Sequence, residues 1–393
     1  MTDIVILAAT RTPIGTFQGA FASVPASRLG AAAIRGAVAQ AGVNPAEVTD
    51  CLMGNVLMAG QGQAPARQAA IHAGLPTSVR CTTVHKVCGS GMQTVIGAAH
   101  FLAGGMGTMA VAGGMENMSL APYLLPKARD GYRLGHQQVI DSLITDGLWD
   151  PYNNLHMGNC AEQCAARYKF TREQQDAYAI ASFQRANAAQ KDGRFATEIT
   201  PVEITDAKGN VTKVEHDEGP AKVKYDKIPS LKPSFQKDGT ITPANASSLN
   251  DGAAALVVTT ADTAKAKGLK PIARLAGFGG HAQDPMWFTT APVQATQAAL
   301  KRAGWSVADV DLWEVNEAFA VVPMAFMVEL GVPHDKLNVR GGAIALGHPI
   351  GASGARILVT LLAALRERGL RRGVAAICIG GGEGLAVCVE LLN

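Results

Sequence analysis

The sequence predicts an α/β protein built from two similar halves, and three observations carry that expectation. Short apolar strands alternate with helical patterns along most of the chain, as mixed sheets covered by helices on both faces require. Ala41-Gly42-Val43-Asn44-Pro45-Ala46-Glu47-Val48 aligns without a gap on Ala303-Gly304-Trp305-Ser306-Val307-Ala308-Asp309-Val310. A second pair follows in the same order, Ala112-Gly113-Gly114-Met115-Glu116 and Ile379-Gly380-Gly381-Gly382-Glu383. Two matches in one order point to a duplicated βαβ-rich unit, whose strand-end loops would meet in one cleft.

Each element has a local reason. Residues 4–9 are an unbroken apolar run, read as a buried first strand. An Ala-rich amphipathic helix precedes each copy of the first match and a strand follows it, at 51–56 and 312–315. Val87-Cys88-Gly89-Ser90-Gly91 joins a short strand to a helix beginning near Met92; Ser353-Gly354 opens the corresponding helix of the second half. Residues 109–112 and 374–379 read as apolar strands. The stretch 119–250 differs, being rich in Asp, Asn, Lys, Pro and Tyr. Its one clear helix spans 172–192, with Thr171 as N-cap and Glu173 strengthening the first turn. Residues 251–259 return to the apolar pattern and complete the first half. The expected division is 1–118 plus 251–270, a covering insertion over 119–250, and a second half over 271–393.

Composition narrows the function. With 48% hydrophobic and 17% charged residues the chain suits a well-buried enzyme, and at 393 residues it exceeds one ordinary core. A formal charge of +3 is too small to argue for nucleic acid. Seven cysteines, an odd number with no Cys-x-x-Cys pair, predict neither a disulfide framework nor a metal centre, and hence a reducing compartment. A strand starting at Ile4 leaves no room for a leader, and the apolar run 357–362 is too short to span a bilayer. A cytoplasmic protein without a membrane partner is expected.

Five segments carry candidate chemistry. Cys88 stands before a helix N-terminus, where unpaired N–H groups and the macrodipole favour thiolate; the glycines flanking Ser90 are expected to permit a tight turn and to let backbone amides come close to whatever the sulfur holds. Taken alone it reads as a buried structural thiol, and the rest of the chain reverses that reading. Asn316 ends a strand and starts a helix, as a site residue or an N-cap. His348 is pinned between Gly347 and Pro349 in a glycine-studded loop. Cys378 is followed by glycines, unlike Cys388, which reads as strand core. Ser247 lies in a polar turn. The 341–354 loop lacks the Gly-Lys-Ser/Thr ending of a phosphate loop.

Together these segments resemble the thiolases. Residues 10–15, 65–70, 87–93, 316–320, 341–356 and 378–384 fit that family in order, and 147–149 with 154–158 resemble its short-chain, acetoacetyl-CoA type. One departure is His85, where the family pattern has asparagine. The resemblance implies the duplicated thiolase fold: two βαβαβαββ halves in five αβαβα layers, topped by a loop domain. It implies a homotetramer, a dimer of dimers, with part of 123–140 making the contact between dimers. Its chemistry is the reversible condensation of two acetyl-CoA to acetoacetyl-CoA and CoA, with no cofactor beyond the CoA of substrate and product. In that chemistry Cys88 holds the acetyl group, His348 takes its proton, and the N–H groups of Cys88 and Gly380 face the oxyanion. Cys378 removes the α-proton, and Asn316 positions a water. The resemblance places Ser247 against the pantetheine arm and Leu148, His156, Met157, Ala318 and Phe319 around the acyl group. Competing expectations are a thiolase of broader chain length working in degradation, a decarboxylating ketoacyl synthase, and a non-catalytic CoA-binding protein.

Overall fold

The structure, a computed structural model, describes residues 2–206 and 208–392. The first half supplies strands β1 (Ile4–Arg11), β2 (Asp50–Gly54), β3 (Arg80–Val84), β4 (Met109–Asn117) and β5 (Asn250–Thr260). The second supplies β6 (Ala273–Ala282), β7 (Leu312–Val315), β8 (Arg372–Ile379) and β9 (Glu383–Leu391). Across the sheet they run β7-β8-β9-β6-β1-β5-β4-β2-β3. The halves join at a narrow seam where β1 meets β6 through Val5–Arg274 and Ile6–Ala273.

The duplication is written in the register. β5 lies antiparallel between β1 and β4, as β9 lies antiparallel between β6 and β8. β2 is parallel to β4, and β7 is parallel to β8. Pairing of β1 with β5 slips between Ile6 and Ala8, and pairing of β6 with β9 slips between Leu275 and Gly277. Such a bulge re-aims a strand, and its recurrence at one place in each half is hard to reach by chance. β3 has only a vestigial counterpart, a parallel bridge from Trp313 to Leu337.

The second sequence match is displaced. Ala110 stands opposite Asp50 and Gly373 opposite Leu312, in keeping with the first match. Met115 therefore corresponds to Cys378, and Glu116 to Ile379. Glu383 opens β9 instead of closing β8.

Helix α1 (Ala26–Ala41) covers the outer face of β1, β4 and β5, and α3 (Ala291–Ala303) covers β6, β8 and β9. Between the half-sheets lie α2 (Ser90–Ala103) and α4 (Ile350–Arg368), giving five layers. Its central place explains why α4 is apolar nearly all round, with Ile357, Leu358, Val359, Leu361 and Leu362 all buried. The Ser-Gly pairs mark where α2 and α4 touch. A Cβ on Gly91 would stand 2.8 Å from the Ala355 amide nitrogen, and one on Gly354 would strike Met92.

The insertion contains short hairpins and two helices, Met157–Tyr168 and Arg172–Lys191. Thr171 and Gln174 form a capping box at the second. The first was not expected, although Cys160/Cys164 and Ala161/Ala165 repeat at helical spacing on its buried face. Buried charges bind the insertion to both halves. Arg11 of β1 meets Glu198 at 2.7 Å and Asp217 at 2.7 Å, and Glu198 also meets Arg340 at 2.8 Å.

Candidate active site

Cys88 stands in the turn between β3 and α2. The residue before it, Val87, has φ of +44°, a left-handed conformation that a β-branched side chain rarely adopts. Ser90 fixes this turn: its hydroxyl accepts from Lys86 N–H at 2.8 Å and donates to the Val87 carbonyl at 2.6 Å. Neither Gly89 nor Gly91 has positive φ. Both are needed for close approach, since a Cβ on Gly89 would run into Ile379 and stand 3.3 Å from Leu385. The strain sits on the valine. His85 is exposed, and its Nδ1 accepts from Val87 N–H at 3.4 Å, the bond to residue i+2 that an asparagine side chain makes in an Asx turn.

A cavity of about 550 Å³ lies over this turn. Cys88, Gly380 and His348 line it with Leu148, His156, Met157, Ser247, Ala318 and Phe319. Of the expected site residues only Cys378 and Asn316 do not, being fully buried. Phe235 was missed by sequence reasoning. It stacks on His156 with ring centroids 4.8 Å apart and meets Phe319 edge-on. Met118, Leu143, Phe288 and Ile350 were missed too; scattered apolar residues give no local signal.

His348 is held from three sides. Its N–H donates to Asn250 Oδ1 at 3.0 Å, and Gly347 takes φ of +109° where any Cβ would collide with Asn250. Its Nδ1 is 2.6 Å from Ser353 Oγ, which donates to the Pro349 carbonyl at 2.9 Å and so accepts from Nδ1–H. Nε2 then carries the lone pair and accepts from Asn316 Nδ2 at 3.3 Å. This tautomer is assigned from its partners. Burial, assisted by the Arg356 charge, pushes the imidazole down to about 3. The result is a neutral base with its free nitrogen beside Asn316, whose own Oδ1 has no protein partner among the described residues. Asn316 is not a helix cap, because the next helix begins only at Val321.

The thiols are not held as expected. Burial pushes Cys88 up to about 11, against the pull of the Gly380 and Cys88 amide N–H groups, and the buried Glu116 carboxylate adds to the rise. The helix terminus therefore does not make a resting thiolate; low dielectric outweighs it. The two amides that face the sulfur are nevertheless the pair expected around an oxyanion. Cys378, at the end of β8 opposite Gly384, is likewise held well above the ordinary range, by burial and by the neighbouring Cys88. The loops of the two halves are in contact here: a Cβ on Gly380 would lie 3.5 Å from Val87 Cγ1 and 3.4 Å from Met157 Sδ.

Two buried carboxylates brace the site. Glu116 accepts from Asn55 Nδ2 at 2.7 Å and from the backbone N–H of Val56, Leu57 and Gly351. It thereby ties the first half to the helix start after His348. Glu317, beside Asn316, accepts from Tyr178, Ser182, Asn338 and Ile344 N–H. Among the described residues no cluster of three His, Cys, Asp or Glu is suited to a metal ion.

The depressed His348 has a consequence for stability. Between the ordinary pH of about 6.5 and its native value of about 3, the unfolded chain binds a proton that the native one does not. This residue's contribution is thus present above that window and lost as pH falls through it. A His348→Gln variant should show a shallower loss of stability than the parent between about pH 6.5 and 4, read by urea unfolding. Parallel curves would contradict this assignment.

Comparison with known proteins gives the following likenesses. A family model described as thiolase, N-terminal domain, matches residues 4–262, and one described as thiolase, C-terminal domain, matches 269–391. A Pseudomonas aeruginosa protein named acetyl-CoA acetyltransferase is 51% identical over 388 residues, covering 98% of this chain and 99% of its own. A Cupriavidus necator protein of the same name is 50% identical over 391 residues, covering 99% and 100%. Among solved structures, the Bacillus anthracis acetyl-CoA acetyltransferase superposes with a TM-score of 0.97 at 40% identity, over 100% of this chain and 99% of that one. The Acat5 thiolase of Ascaris suum, in complex with coenzyme A, gives 0.94 at 42%, over 99% and 100%.

Proposed function

This chain belongs to the thiolase family, and from that premise we propose that it is an acetyl-CoA C-acetyltransferase. The observation that carries the reading is one cavity lined by Cys88 and Gly380, from opposite halves, together with His348.

The Cys88 thiol attacks the carbonyl of acetyl-CoA while its proton passes to His348 Nε2. The Cys88 and Gly380 N–H groups hold the oxyanion, and collapse expels CoA, which takes the proton back. A raised Cys88 makes the base indispensable, and a neutral His348 supplies it. In the second step the Cys378 thiolate takes a proton from the methyl group of another acetyl-CoA. Burial lowers the thiolate population but strengthens it as a base, which a carbon acid demands. His348 and a water on Asn316 face the enolate oxygen. The carbanion attacks acetyl-Cys88, acetoacetyl-CoA leaves, and Cys378 returns the proton to Cys88. Run backwards, the same steps perform thiolysis. Ser247 meets the pantetheine arm, and Phe319, Met157 and Leu148 confine the acyl group.

The assembly is a homotetramer in the cytoplasm. Supporting it are exposed Tyr123, Leu125, Leu134 and Val139 on one segment of the insertion, seven free cysteines, and the absence among the described residues of a helix long and apolar enough to cross a membrane. Thiolysis rates for acetoacetyl-CoA and for a 3-ketoacyl-CoA several carbons longer test the acyl range. The short substrate should be preferred; preference for the longer one would make this a broad degradative thiolase. Cys378→Ala should still accept acetyl from acetyl-CoA while exchanging α-protons with solvent slowly. Normal exchange in that variant would remove Cys378 as the base.

A further inference from the structure

Away from the cavity, two more cysteines meet. Cys51 of β2 and Cys81 of β3 are partners in the parallel register, so their side chains leave the same face of the sheet. Registered residues of neighbouring strands stand about 4.8 Å apart, inside the roughly 4.4–6.8 Å that a disulfide spans. Cys51 is fully buried; Cys81, on an edge strand, is partly exposed. Apart from Cys88, Cys81 is the one cysteine that is not fully buried.

Its surroundings suit a reactive sulfur. The neighbouring Cys51 side chain holds the Cys81 thiol below the ordinary range; burial opposes this, and Arg67 supports it with Nη1 3.9 Å from the sulfur. The same guanidinium is anchored on the Val79 and Thr77 carbonyls, so it stays where it is. The other charges near the pair are Asp50, which opposes the thiolate, and Arg80, which neutralises Asp50 at 2.9 Å. The buried thiols Cys160, Cys164 and Cys388 are instead pushed up by burial.

We propose that Cys81 and Cys51 form a peroxide-reactive dithiol site, with Cys81 the attacked sulfur and Cys51 the one that resolves it. The Cys81 thiolate attacks a hydroperoxide oxygen: an S–O bond forms, the O–O bond breaks, and the leaving oxygen departs protonated as water or alcohol. Cys51 sulfur then attacks the Cys81 sulfenic acid: the S–S bond forms, the S–O bond breaks, and hydroxide leaves as water with the Cys51 proton. Two thiols are oxidised, one hydroperoxide is reduced, and a thiol reductant reverses the link.

The test uses the full chain in the native state, as wild type and with Cys88→Ala to spare oxidant. After a small excess of hydrogen peroxide at about pH 7, free thiols are blocked with N-ethylmaleimide and unreduced peptides are mapped by mass spectrometry. The expected product joins the Cys51 and Cys81 peptides and disappears with dithiothreitol. Cys51→Ala should leave a dimedone-reactive sulfenic acid on Cys81, and Cys81→Ala should leave Cys51 untouched. Wild-type protein alone offers a second measurement, since Cys81 should alkylate at least about 10-fold faster than Cys160, Cys164 or Cys388. Absence of the linked peptide from folded protein, or oxidation of Cys51 without Cys81, overturns the proposal.

Discussion

Cys88→Ala should abolish acetyl transfer to the protein and lower turnover by on the order of 10⁴-fold or more, while leaving the chain folded. The size of the effect follows from where the sulfur is. Among the described residues it is the only thiol lining the cavity, the other candidate, Cys378, being fully buried, and two amide N–H groups are already aimed at it. An alanine there removes the atom that bonds to the acetyl group, and none of the other cavity-lining groups is a thiol. Folding should survive because the turn is not held by the sulfur. Ser90 fixes Lys86 and Val87, and α2 begins at Ser90 itself. Radiolabelled acetyl-CoA followed by peptide mapping checks both sides of the expectation: label on the Cys88 peptide in the parent, and none anywhere in the variant. Label retained by Cys88→Ala, with circular dichroism unchanged, would move the nucleophile elsewhere. Cys378→Ala is the informative control, because it should take up label and fail one step later.

Much of the fold and of the site is legible in the sequence, and what is not has physical causes. The duplication is legible in the first repeat, since a match of Ala41 to Ala303 commits the helix before it and the strand after it to one arrangement in both halves. The second repeat misled because glycine-rich strand ends resemble one another without sharing register: Glu116 is a buried brace, whereas Glu383 forms a half-exposed pair with Lys86. Glycine beside a nucleophile suggested a glycine-made turn, yet φ belongs to the backbone, and here the surrounding bonds force Val87 into the strained position. The resting protonation of Cys88 departs from the sequence expectation for a related reason. A helix terminus is visible in sequence, but the desolvation that outweighs it depends on walls contributed by Leu148, Met157 and Phe319 from distant segments. Phe235 and Glu317 illustrate the same limit, because what each touches is decided by tertiary packing.

The brace that no local pattern announced is where a substitution should cost most in stability. Arg11→Met is expected to destabilise the protein by about 3–5 kcal/mol, the usual cost of removing one partner from a buried ion pair. Arg11 is 0% exposed, and burial alone would drive its guanidinium toward neutrality; Asp217 and Glu198 together keep it charged. It grips Asp217 through two parallel bonds of 2.7 and 2.9 Å, and Phe195 lies 5.0 Å beneath it. Methionine fills the volume but leaves Asp217 with only the Ile14 N–H, and Glu198 with Arg340 and Thr360. Arg11→Lys should fall between, because an ammonium keeps the charge and loses the fork. Urea unfolding at unchanged m-value reads the difference, and a loss below about 1 kcal/mol for methionine would show that these carboxylates find water or each other's protons instead. The backbone bonds that pair Arg11 with Glu198 and Thr200 persist in either variant, so the insertion should loosen over the cavity without detaching.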